Sequence, residues 1–206
     1  MRLGLLTVLF AIIGLAWLLL RNRQKYEKRL ENTKLAILYV TVYNACCYLA
    51  VGIPADPAVI SAPMLLQEPS VTRMLQVVGI ALLGLGAWLI LTTVLRRRVF
   101  GAQDTKQGLI TSGVYGFSRH PIYFGIVLVS LAIPLLSGNV DGMIIFPLVL
   151  LANGCEAIVE EKYDVGVRFK EEYQQYRQLT WMFGPPWFWL MLGGVLVAVL
   201  MVGSMG

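Results

Sequence analysis

Apolar residues in this chain run in long stretches, instead of alternating at the two- or 3.6-residue period of a half-buried strand or helix. The stretches are Leu3 to Leu20, Leu35 to Ile53, Leu75 to Leu95, Pro121 to Leu136, Met143 to Val159 and Trp187 to Met205. Hydrocarbon offers no partner to a free backbone N–H or C=O, so a segment of about 20 such residues crosses it as a helix. The pattern therefore predicts an all-α, polytopic membrane bundle of five to six spanning helices. The fourth and fifth stretches are short and joined by Ser137-Gly138-Asn139-Val140-Asp141-Gly142, a turn-rich link that predicts a helical hairpin, tilted or partly embedded. Composition agrees: with 57% hydrophobic and 14% charged residues, the chain has too little polar surface to cover a soluble globule of 206 residues.

The first stretch is read as a span and not as a cleaved signal, because Arg21-Asn22-Arg23-Gln24-Lys25 stands where a small-residue cleavage site would be needed. With no repeat and no long linker, a single membrane domain is expected: residues 1–74 as N-terminal spans, 75–186 as a functional core and 187–206 as a further span. Charge placement gives an orientation. Fifteen of the seventeen Lys and Arg residues fall in Arg21 to Lys34, Arg96 to Arg119 and Lys162 to Arg177, while the loops between, Pro54 to Ser70 and Gly138 to Asp141, carry Asp56, Glu68 and Asp141 and no base. Cytoplasmic loops collect Lys and Arg, which predicts an outside N-terminus and cytoplasmic basic loops. Bases at span ends favour anionic headgroups over nucleic acid as partners.

Two polar stretches could carry chemistry. In the first, Gln103 to Tyr123, glycines and hydroxyls lead to Pro121, so Ser118 reads as a helix cap, with Arg119 and His120 at a helix start where an anion is favoured. In the second, Phe169, Tyr173, Tyr176 and Leu179 recur at helical spacing, which predicts an amphipathic surface helix. Glu160 and Glu161 precede it where the fifth span should emerge. Taken alone, His120 reads as an interfacial residue, the glutamates as solvated acids and the tyrosines as an aromatic belt. Being the single histidine, His120 rules out a multi-histidine metal site. Cys46, Cys47 and Cys155 have neither paired spacing nor companion histidines, so no zinc site is expected. Asn44 and Asn153 are expected to bond between helices. Gly84-Leu85-Gly86 and Gly194 with Ala198 are expected to serve close helix packing.

In order along the chain, Leu109-Ile110-Thr111-Ser112-Gly113-Val114-Tyr115, Arg119-His120-Pro121-Ile122-Tyr123, Glu160-Glu161 and Phe169-Lys170-Glu171-Glu172-Tyr173 with Tyr176 resemble the isoprenylcysteine carboxyl methyltransferase and phospholipid methyltransferase superfamily of integral membrane enzymes. The likeness covers residues 75 to 186. It implies S-adenosylmethionine as cofactor, held at the cytoplasmic face. His120 and Tyr123, with Pro121 at the helix start, would hold its methionine end, and Glu160 or Glu161 its ribose hydroxyls or amino group. Gly113 and Tyr115 would shape the covering loop, and Tyr176 would close the pocket from the C-terminal helix. Arg119 and Glu161 are the implied catalytic pair, with Arg119 steadying a substrate carboxylate or phosphate. The chain departs from the family pattern at Gln107, where relatives often carry His, and at Thr180 to Pro186, which lacks an Arg. The segment after Pro186 is also not a general family feature.

Methyl transfer from a sulfonium is an in-line displacement, helped mainly by alignment and removal of water. A carboxylate acceptor needs no base, whereas an amine or thiol would need Glu or His120 as one. The expected function is therefore methylation of a lipophilic or prenylated substrate, isoprenylcysteine O-methyltransferase-like, with phospholipid N-methylation and thiol S-methylation as alternatives. Membrane lipids and that substrate are the expected partners. A small transporter is a reading from a different class, against which the ionisable residues cluster at span ends. A membrane protein that keeps the fold without catalysis is another, left open by Gln107 and the missing Arg and discriminated by cofactor binding.

Overall fold

The computed structural model describes residues 33–52, 68–97 and 108–204. The first predicted span, most of the 54–70 loop and Gln107 lie outside the described residues. Within them the chain is helical: α1 (Thr33–Gly52), α2 (Pro69–Arg97), the single turn α3 (Val114–Phe117), α4 (Pro121–Ser137), α5 (Val140–Glu160), a π turn (Glu161–Val165), α6 (Gly166–Leu179) and α7 (Pro186–Ser204). Among the described residues there is no strand, only an isolated bridge between Met182 and Gly184.

α4 is the centre. It packs most extensively on α2, and also on α5 and α1, while α7 lies on the outer side against α2. Its sequence suits that place: Pro121 opens the helix, where a missing N–H costs nothing, and most of its residues are buried. Gly138 ends it in the left-handed conformation (φ 68°) and donates its N–H to Pro134 O. α5 begins two residues later, so the predicted hairpin is present with a tighter turn than six residues. Gly86 of α2 and Gly125 of α4 meet so closely that a Cβ on either would lie 2.7 Å from the other's carbonyl oxygen. Gly84 and Gly194, expected to pack similarly, face open space instead.

Polarity is distributed inside out. Val77, Ile80, Trp88, Leu91 and Leu95 of α2 and Leu190 and Met191 of α7 are exposed, whereas Thr93, Ser130, Asn153 and Glu156 are buried. An apolar exterior around a partly polar interior belongs to a protein solvated by lipid. Two stretches of the described residues, Pro69–Arg96 and Val140–Leu179, are long and apolar enough to cross a membrane; Pro121–Ser137 and Pro186–Val202 are shorter apolar helices. Asn153 of α5 donates to Val149 O of its own helix at 2.8 Å and reaches Cys47 Sγ of α1 only at 4.0 Å.

Candidate functional site

The loop before α4 and the segment after α6 are stitched together by backbone. Arg119 N–H donates to Trp181 O (2.8 Å), His120 N–H to Met182 O (3.3 Å) and the Ser118 hydroxyl to Met182 O (2.6 Å). Ser118 is thus not the cap the sequence suggests. His120 is the cap residue, without a side-chain capping bond, and the two N–H groups preceding Pro121 are spent on carbonyls instead of being offered to an anion.

This stitching fixes Arg119 and His120 against the end of α5. Arg119 Nε donates to Glu161 Oε1 (3.1 Å), and Nη1 to the carbonyls of Arg177 (3.2 Å) and Thr180. His120 Nε2 lies 3.0 Å from the same Glu161 oxygen and Nδ1 3.5 Å from Glu160 Oε2. Arg177, more exposed, approaches Glu161 Oε2 at 3.8 Å. Two carboxylates facing both ring nitrogens require both to carry protons, because a neutral imidazole would turn a lone pair toward one of them. Burial opposes the charge on His120, but the two carboxylates outweigh it and raise the pKa above 6.5. Burial likewise opposes ionisation of Glu161. Its hydrogen bond with His120, the Tyr173 hydroxyl turned toward it and the charges of His120 and Arg119 prevail, holding it at about 2.

The π turn sets this geometry. It carries Glu161, Asp164 and Val165 inside, and such turns recur at functional sites. α6 is then broken at Lys170, whose φ of 40° is non-helical. The break turns Tyr173 and Tyr176 inward, ring centroids 6.1 Å apart, while Leu179 is left 83% exposed. The amphipathic surface helix predicted from spacing is therefore only half right: three of its aromatic positions, Phe169, Tyr173 and Tyr176, line a cleft instead of a lipid surface. Tyr176 donates to Tyr115 O at 2.6 Å, tying α6 to α3.

The cleft so formed measures about 470 Å³ with its open mouth. Of the residues singled out from sequence, Tyr115, Arg119, His120, Glu160 and Tyr176 line it. Glu161 sits behind them as the shared partner of Arg119 and His120. Tyr123 stacks on the His120 ring from within α4, 5.7 Å between centroids, and Pro121 is buried at the helix start. Gly113 lies against Arg96, away from the cleft. Sequence reasoning left out Arg168, which also lines the cleft, and placed Phe169 and Tyr173, two further lining residues, on a surface helix. Arg168 pairs with the buried Asp164; a charge pair four residues apart beside a glutamate pair is the signal that could have found it. The buried Tyr173 hydroxyl, turned toward Glu161, makes no hydrogen bond of ordinary geometry within the protein.

A lipid-solvated helical protein with a polar, ion-paired cleft at one end of its bundle is the class these features define. Comparison narrows it: residues 74–166, from α2 to the end of the π turn, match the phospholipid methyltransferase family model. A protein-S-isoprenylcysteine O-methyltransferase of Schizosaccharomyces pombe is 34% identical over 70 residues, which cover 34% of this chain. The chain spans 30% of that relative's length. No solved structure matches. The resemblance to this superfamily, first carried by short motifs, thus extends over α2, α4, α5 and the π turn, and stops at the first residue of α6.

Proposed function

We propose that the protein is an S-adenosylmethionine-dependent methyltransferase of the membrane that methylates the carboxyl group of a lipophilic, prenylated-cysteine-like acceptor. The observation that carries this reading is the cleft wall of Arg119, His120 and Glu160, braced by Glu161, within the matched region. The donor set suits the cofactor: Glu160 offers an anion to its amino group or ribose hydroxyls, and the aromatic walls suit the adenine. When bound, S-adenosylmethionine contributes a sulfonium whose methyl group is the electrophile.

The chain's own residues supply position and charge. With both ring nitrogens turned to carboxylates, His120 has no free lone pair to offer as a general base, which favours an acceptor that needs none. A carboxylate is such an acceptor, and the donors of Arg119 not spent on Glu161 and the two carbonyls are the natural partners for it. Arg119 then aligns the nucleophile, and Tyr115, Phe169 and Tyr176 exclude water. We take residues 1–206 as one membrane domain with five to six spans and the cleft on the cytoplasmic side, the side favoured by the basic loops.

The test is methyl transfer from tritiated S-adenosylmethionine to an S-prenylated cysteine by the detergent-purified protein. Label released by mild alkali, as a methyl ester requires, is the expected result. Alkali-stable label on an amine phospholipid, or no label, would contradict the proposal.

A further inference from the structure

The last turns of α2 carry a groove that the methyl-transfer reading does not use. Trp88, Thr92, Leu95 and Arg96 lie at spacings of four, three and one, hence on one face, and together with Gly113 and Val114 they line an open groove of about 850 Å³. Trp88 and Leu95 are exposed. Thr92 spends its hydroxyl on Trp88 O and Leu89 O of its own helix, which leaves its methyl group as the groove surface. The stretch is therefore apolar until it reaches Arg96. There the guanidinium bonds to Ser112 Oγ at 2.8 Å and lies against Gly113, where a Cβ would strike it. Among the described residues Arg96 pairs with no carboxylate.

An apolar channel on the lipid-facing side of a spanning helix, ending in a guanidinium that no carboxylate of the described residues neutralises, beside a hydroxyl, is complementary to one kind of molecule: hydrocarbon tail, anionic head. We infer that this groove binds an anionic phospholipid of the bilayer, its acyl chain along Trp88, Thr92 and Leu95 and its phosphate at Arg96 and Ser112. A zwitterionic lipid carries its own cation beside the phosphate and gains less from Arg96. The site is separate from the cleft, on whose walls neither Trp88 nor Arg96 lies.

Binding is read from Trp88 itself. The protein is reconstituted in phosphatidylcholine with a small fraction of either brominated phosphatidylglycerol or brominated phosphatidylcholine. The Trp88 contribution to quenching is taken as the difference between the wild type and Trp88→Phe. The expected result is saturable quenching that favours phosphatidylglycerol about fivefold, the weight of one arginine at an anionic surface. That preference is abolished in Arg96→Gln and kept in Arg73→Gln, which removes an arginine at the other end of α2. Equal quenching by both lipids in the wild type, or an undiminished preference in Arg96→Gln, would overturn the inference; either would show Trp88 bathed in bulk lipid. Neither outcome depends on methyl transfer.

Discussion

In the helix layer Gly86 and Gly125 meet backbone to backbone, whereas at its end Arg119, His120 and Glu161 meet through charge. The layer needs small residues because lipid gives helices no hydrophobic reason to associate, and contact must come from close approach and dispersion. The cap needs charge because its segments, the start of α4, the π turn and residues 180–182, are too irregular to satisfy themselves with helical bonds alone. The layer tolerates no added volume, and the cap tolerates no missing charge. Each kind of region should fail in its own way.

The largest effect is expected from Glu161→Ala, which leaves Arg119 and His120 buried without their shared anion. Breaking such a buried pair costs about 3–5 kcal/mol, so thermal unfolding in detergent should show a large drop, and an unchanged midpoint would show that the cluster is not structural. Gly125→Val should come next. Its side chain meets the Gly86 carbonyl and Ile90, and overpacking of this kind costs about 1–3 kcal/mol. A neutral result there would mean that the α2–α4 contact is looser than described. Tyr176→Phe removes the bond to Tyr115 O for about 1 kcal/mol. Its mark should be a raised KM for the methyl donor with little loss of fold.

The smallest effect is the pH profile. His120 has its pKa raised above 6.5, so its contribution is fully present below 6.5 and is lost as pH rises through the higher folded-state value. Glu161 is lowered from 4.5 to about 2, so its contribution is present above 4.5 and lost as pH falls toward 2. Stability should therefore be level between 4.5 and 6.5 and decline on either side. In His120→Gln the alkaline decline should flatten, and a wild type whose melting temperature rises above pH 6.5 would refute the imidazolium assignment.

Much of the layer was legible in the sequence because a spanning helix needs only unbroken apolar length, and Leu75 to Leu95 and Met143 to Val159 show it plainly. The cap was legible only through motifs. Spacing correctly grouped Tyr173 with Tyr176 but put them on a surface, because a regular period has no sign of the π turn at Glu161 or of the break at Lys170. Ser118 looked like a cap since local sequence does not reveal that the Met182 carbonyl, 64 residues away, takes its hydroxyl. The two adjacent glutamates were indistinguishable in sequence. Tertiary contacts separate them, with Glu160 on the cleft wall and Glu161 behind it.

That separation gives the most direct measurement. Calorimetric titration with S-adenosylmethionine would compare the wild type with Glu160→Gln, which keeps the shape of the side chain and removes its charge. The account predicts saturable binding by the wild type, weakened about tenfold or more in the variant, as the loss of a charge-assisted hydrogen bond implies. The melting temperature should fall far less than in Glu161→Ala, because Glu161 still pairs with both Arg119 and His120. Absence of binding by folded wild-type protein, or equal affinity in the variant, would contradict it.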